Sequence, residues 1–198
     1  MVAVQQNPHY TPEEYFASER EAEFKSEYLN GEIYAMAGSS PEHSTITVNV
    51  SGELRAQLKG KPCRVFSSDM KVRTDADGLF SYPDVSVVCG EPRFHDEHRD
   101  VLVNPTLIVE VLSPSTERFD RGRKFAQYQQ IESLTDYLLV AQDEPRVEHY
   151  VRQEGGRWLL STATGREDTL HLASIGCTLP LSEVYDKVDF PAAAHSPG

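Results

Sequence analysis

The chain has 198 residues, 39% apolar and 25% charged, which is enough material for one ordinary domain with its own core and too apolar for a disordered chain. No apolar run approaches the roughly 20 residues of a bilayer span and no basic-then-apolar leader opens the chain, so a cytoplasmic protein with no membrane contact is expected. The formal net charge of −12 excludes a generally basic nucleic-acid binder, so any contact with phosphate must be local.

In chain order, Thr11-Pro12-Glu13-Glu14 reads as a capped helix start, with Glu14 placed to reach back in a capping box, and a short helix through Arg20 follows. Two strand-like runs, Phe24 to Leu29 and Glu32 to Ala37, flank Asn30-Gly31, a dipeptide that tolerates positive φ and favours a tight hairpin turn. Ile46, Val50, Leu54 and Leu58 recur every four residues, which predicts an amphipathic helix that Gly60 can end. Cys63 to Ser67 and Met70 to Thr74 read as strands, with Asp75-Ala76-Asp77-Gly78 as a turn. Asp84 to Cys89 and Thr106 to Leu112 are short and nearly continuously apolar, as suits central strands covered on both faces, and Gly90 to Asn104 is a polar excursion between them.

A helix from about Glu117 to Ile131, with Phe125 and Tyr128 inward, precedes a strand at Tyr137 to Ala141. Arg146 to Arg152 and Arg157 to Ala163 form a second hairpin around Glu154-Gly155-Gly156. A short strand near Leu170 to Leu172 and a brief helix within Pro180 to Lys187 complete the chain. The order of elements predicts an α/β (α+β) domain over residues 10–190, built on a mixed sheet with flanking helices and a hairpin at each end extending the sheet. Flexible tails are expected at 1–9 and 191–198. Cys63, Cys89 and Cys177 are odd in number and lack C-x-x-C spacing, so three reduced thiols are expected.

Asp84 and Glu110 each sit in an otherwise apolar strand, and an ionised carboxylate is costly to bury without a partner or a metal. If the two strands are neighbours, both acids meet and can hold a hard cation such as Mg²⁺, with Mn²⁺ as substitute, that keeps waters and accepts a phosphate. The plainer alternative has Asp84 capping a strand and Glu110 pairing with an arginine. Lys124 lies one turn before Tyr128 on the helix that follows the Glu110 strand and could bring an ammonium to the acids. Arg118, Arg121, Arg123 and Lys124 form the one local cationic patch. Asp69 and Lys71 flank Met70 and could border the same cleft.

The run Glu27-Tyr28-Leu29-Asn30-Gly31-Glu32-Ile33-Tyr34-Ala35-Met36-Ala37-Gly38, then His43, Tyr82-Pro83-Asp84, Val109-Glu110-Val111-Leu112-Ser113-Pro114-Ser115-Thr116, Asp120, Lys124, Tyr128 and Asp136-Tyr137, resembles the Uma2 (DUF820) pattern. That family is similar to the PD-(D/E)XK restriction-endonuclease-like proteins. The resemblance implies a metal-dependent endonuclease acting on DNA, often as a homodimer. Asp84 and Glu110 would be metal ligands, Lys124 a catalytic ammonium, Glu32 a third acid, and His43 a phosphate or ligand contact. In the wider superfamily the lysine lies two residues after the strand glutamate, where this chain has Leu112, so Lys124 would supply it from the next helix. A non-catalytic DNA-associated or protein-interaction module, and a hydrolase of a small phosphate ester, are the competing readings, because fold alone does not carry function.

Overall fold

The computed structural model describes residues 9–36, 38–75 and 78–190. Both expected tails fall outside them except for His9, as do Ala37 and the Ala76-Asp77 part of the expected turn. Helix α1 (Pro12–Glu19) carries the full capping box, with Thr11 and Glu14 each satisfying the other's backbone N–H. β1 (Ser26–Leu29) and β2 (Glu32–Ala35) close over Asn30 and Gly31, at φ 48° and 91°, the left-handed pair a tight hairpin needs. α2 (Pro41–Gln57) is capped by the Ser40 hydroxyl and buries Ile46, Val50 and Leu54 along one stripe.

The central sheet has six strands in the order β11-β10-β9-β8-β6-β3: β3 (Cys63–Ser67), β6 (Val85–Cys89), β8 (Leu107–Leu112), β9 (Asp136–Ala141), β10 (Arg146–Arg152) and β11 (Trp158–Thr164). Within this sheet the β8–β9 ladder is parallel and the remaining ladders are antiparallel. One face packs on α2, on a separate two-stranded ladder of β12 (Thr169–Leu172) and β13 (Cys177–Pro180), and on the short α5 (Leu181–Val184). The β10–β11 hairpin extends the sheet as expected, whereas the strand at Leu170 pairs with β13 instead of joining it.

The opposite face is covered by a second sheet of five strands, β2-β1-β5-β4-β7, which adds β4 (Lys71–Arg73), β5 (Leu79–Ser81) and β7 (Val101–Leu102). The N-terminal hairpin therefore belongs to this second layer. Over the same face lies a helical stretch of α3 (Glu117–Phe119), a π-helical turn (Asp120–Lys124) and α4 (Phe125–Tyr128).

The expectation of three reduced thiols is corrected. Cys63 and Cys89 face each other in the β3–β6 ladder and are joined by a disulfide, leaving Cys177 as the buried free thiol. Nothing in their spacing signals the bond, because it depends on strand register. It closes a loop across a separation of 26 residues, so its reduction is expected to lower stability by about 2–4 kcal/mol. Urea midpoints with and without reductant measure this, and equal midpoints would show that the bond adds nothing.

Candidate functional site

The site begins with strand register. In the antiparallel β6–β8 ladder Val85 faces Val109, so Asp84, one step earlier, falls beside Glu110, one step later. β6 starts only at Val85, and just before it the Asp84 side chain takes up the Val111 N–H, which donates to Oδ2 at 2.7 Å. Glu110 lies on the same face as Ile108 and Leu112 and is only 4% exposed. Its Oε1 accepts the Tyr128 hydroxyl at 2.8 Å and lies 3.0 Å from Lys124 Nζ.

The helical stretch supplies Asp120, Lys124 and Tyr128, spaced by fours. In an unbroken α-helix such residues drift around the axis by about 40° per step. The wider π turn takes back part of that drift and keeps all three side chains on the inward face. Lys124 is thereby buried, and besides Glu110 it reaches Glu27 Oε1 at 3.0 Å and Asp120 Oδ1 at 3.6 Å. Glu27 Oε1 also accepts the Tyr82 N–H at 3.1 Å, Ser81 and Tyr128 hydroxyls meet at 2.8 Å, and the Tyr137 hydroxyl donates to the Asp120 carbonyl. His43, in the first turn of α2, puts Nε2 3.3 Å from Asp84 Oδ2.

Glu27 is the member that sequence reasoning did not single out. Tyr34 faces Glu27 in the hairpin and Glu32 faces Leu29, so both acids project to the same side. Only Glu27 lies where the Lys124 helix docks; Glu32 instead accepts the Tyr34 hydroxyl near the turn. Asp69 is likewise apart from the cluster, exposed and paired with Lys25, and Lys71 is enclosed by the rings of Tyr15, Phe16 and Tyr82. Glu27→Ala would strand the Tyr82 N–H and remove one partner of Lys124. A loss of about 1–3 kcal/mol is expected in urea denaturation, with a smaller loss for Glu27→Gln, which keeps the acceptor.

Electrostatically the cluster sets three carboxylates, Glu27, Glu110 and Asp120, around the Lys124 ammonium, with Asp84 paired to His43 alongside. Burial pushes the Glu110 carboxyl well above the ordinary range; Lys124 opposes this, and Asp120, Asp84 and Glu27 add to it. Burial raises Asp120 as well. Burial works against the Lys124 ammonium, but Glu110, Glu27 and Asp120 outweigh it and hold the group charged. Burial also opposes protonation of His43, and Asp84 overcomes it, so that its pKa is raised.

Comparison with known proteins identifies the family. The model of the Uma2 family, described as "Putative restriction endonuclease", matches residues 12–182. The chain belongs to the Uma2 family. Among its relatives, the uncharacterized Synechocystis protein slr1290 is 38% identical over 183 residues, spanning 92% of this chain and 95% of the relative. The uncharacterized sll1609 of the same organism is 38% identical over 165 residues, 83% and 93% of the two chains. A crystal structure from Anabaena variabilis, described as a putative nuclease belonging to DUF820, superposes with a TM-score of 0.74 over 89% of this chain and 97% of that one. At 18% identity it shows that the Uma2 fold is shared.

The Uma2 family's nuclease description implies a divalent metal, and the donor set can be tested against one. Asp84 and Glu110 each have one oxygen committed to protein donors, which leaves Asp84 Oδ1 and Glu110 Oε2 without a hydrogen bond among the described residues. No group of three or more His, Cys, Asp or Glu side chains converges as a closed cage among those residues. Two carboxylates with unbalanced negative charge suit Mg²⁺, which takes few protein ligands and keeps waters, and do not suit a closed zinc site.

Proposed function

We propose that this Uma2 protein is a Mg²⁺-dependent endonuclease, with Mn²⁺ as a working substitute, that hydrolyses DNA phosphodiester bonds with an activated water. The reading is supported by the β6–β8 register, which continued one step past Val85 and Val109 brings Asp84 opposite Glu110, and by the buried Lys124 at 3.0 Å from Glu110. When bound between the two carboxylates, the ion would polarise a phosphate oxygen and lower the pKa of a water.

The chain's own residues have separate tasks in this reading. The Val111 N–H and His43 fix one oxygen of Asp84, and Tyr128 with Lys124 fixes one oxygen of Glu110, so each acid presents its other oxygen in a set direction. Lys124, held charged by Glu110 and Glu27, offers a proton donor to negative charge developing on the attacked phosphate. His43 Nε2 faces Asp84, so a phosphate contact by this residue would fall to its other ring nitrogen. Glu32 and Asp69 take no part. The activity is assigned to the cytoplasm, a reducing compartment that would tend to open the Cys63–Cys89 bond. Homodimer assembly is carried from the family resemblance alone, and sedimentation of the purified chain measures it.

Incubating the purified chain with plasmid and single-stranded DNA tests the function. Cleavage is expected with Mg²⁺ or Mn²⁺, is expected to stop on chelation and to return when the ion is restored. DNA binding without cleavage would instead support a non-catalytic module, and turnover of a small phosphate ester with DNA untouched would support the third reading.

A further inference from the structure

The inner end of hairpin β1–β2 bears Glu27, and the residue facing it across the ladder is Tyr34. Cross-strand partners project to the same side, so the Tyr34 ring stands next to the acid that holds Lys124. It is 37% exposed and approaches the Phe119 ring at 6.0 Å between centroids, one residue before Asp120 of the π turn. Met36, two residues along the same side, is 38% exposed. The Arg123 guanidinium lies beside the Tyr34 hydroxyl, and the exposed Arg118 is on the same helical stretch. Arg121 is committed to Glu117 and Glu148, whereas Arg118 and Arg123 have no carboxylate within ion-pair distance among the described residues.

An aromatic pair with an apolar neighbour and two uncommitted guanidinium groups therefore borders the acid site, on a chain whose net charge is −12. This combination suits one form of nucleic acid better than another. A duplex hides its base faces and presents phosphate, and its affinity rises with the number of cations it meets, which are few here. A single strand presents base faces that stack on aromatic rings whatever the sequence, with only local help from arginine. We propose that Tyr34 and Phe119 form a base-stacking platform, with Arg118 and Arg123 as phosphate contacts, and that the substrate at this site is single-stranded DNA. The Tyr34 hydroxyl donates to Glu32, which accounts for that acid outside the metal site. The inference deepens the proposed hydrolysis at Asp84 and Glu110 and rests on it for what happens after binding.

The test reads binding apart from chemistry. In a Glu110→Gln background with Mg²⁺ present, fluorescence anisotropy compares a labelled oligothymidine with a labelled duplex of matched length. The single strand is expected to bind more tightly. Tyr34→Ala should weaken it about tenfold, the scale of one lost base–aromatic stack, while Tyr34→Phe, which keeps the ring and loses the bond to Glu32, should bind as the parent does. Phe119→Leu, which keeps apolar volume at a partly buried position, should also weaken the single strand and leave duplex binding unchanged. Duplex binding as tight as single-strand binding, or undiminished single-strand binding by Tyr34→Ala and Phe119→Leu chains with the parent's circular dichroism, would overturn the platform. The two readings fail separately. Duplex cleavage that Tyr34→Ala leaves intact sinks the platform alone, and ring-dependent single-strand binding without cleavage by the native chain sinks the hydrolysis alone.

Discussion

Replacing Lys124 with methionine is expected to lower the unfolding free energy by about 3–5 kcal/mol at neutral pH, because it removes the cation from a buried group of acids without removing the acids. Glu27 and Glu110 lie 3.0 Å from Nζ and Asp120 3.6 Å, and Glu110 is 4% exposed. Methionine fills a similar volume, so packing is nearly conserved and the loss reads electrostatics. The pH dependence has a definite sign. The folded-state pKa of Glu110 is raised above its unfolded value by burial, so this group favours folding at acid pH and loses that contribution as pH rises from the unfolded value through the folded one. Removing Lys124 raises the folded value further. The variant's deficit should therefore shrink as pH falls toward the ordinary carboxylate range, and Glu110→Gln added to it should restore part of the loss. Urea denaturation at neutral and mildly acidic pH measures both effects; a variant as stable as its parent at neutral pH would show that the ammonium does not bear on these acids.

The acids themselves should behave in the opposite way. Asp84→Asn and Glu110→Gln are each expected to reduce Mg²⁺-dependent cleavage by about a thousandfold, the equivalent of roughly 4 kcal/mol in the barrier. Neither should unfold the chain. Asparagine at position 84 retains an acceptor for the Val111 N–H, and glutamine at 110 retains one for the Tyr128 hydroxyl while shedding a buried charge. Thermal stability of the metal-free Glu110→Gln protein should match or exceed that of the parent, which separates a group kept for chemistry from one kept for the fold. Calorimetric titration with Mn²⁺ should show binding weakened in both variants, and unchanged affinity would remove these residues from the metal site.

Much of this was legible in the sequence because local signals and global packing agree. The Thr11 capping box, the Asn30-Gly31 turn and the four-residue stripe from Ile46 to Leu58 each specify their element through backbone chemistry alone. Asp84 and Glu110 stood out because an acid inside an apolar strand needs an explanation. What escaped depends on register and docking. Leu79–Ser81 and Val101–Leu102 are too short to carry a period, and they are strands only because a second sheet gives them partners. Cys63 and Cys89 meet through ladder alignment. Glu27 and Glu32 share a side of the hairpin, and which of them reaches Lys124 is decided by where the helical stretch lands. The π turn that aligns Asp120, Lys124 and Tyr128 has no local sign beyond Gly122 at its centre.

In the proposed function Asp84 and Glu110 together would hold a Mg²⁺ ion that activates water for DNA hydrolysis. Single-turnover cleavage of DNA across a Mg²⁺ series, by the parent chain and by folded Asp84→Asn and Glu110→Gln variants, tests it most directly. A parent rate that rises and saturates with Mg²⁺, with both variants slower by about a thousandfold, is the predicted result. Variants that cut at the parent's rate, or a parent that cuts equally well under chelation, would contradict it.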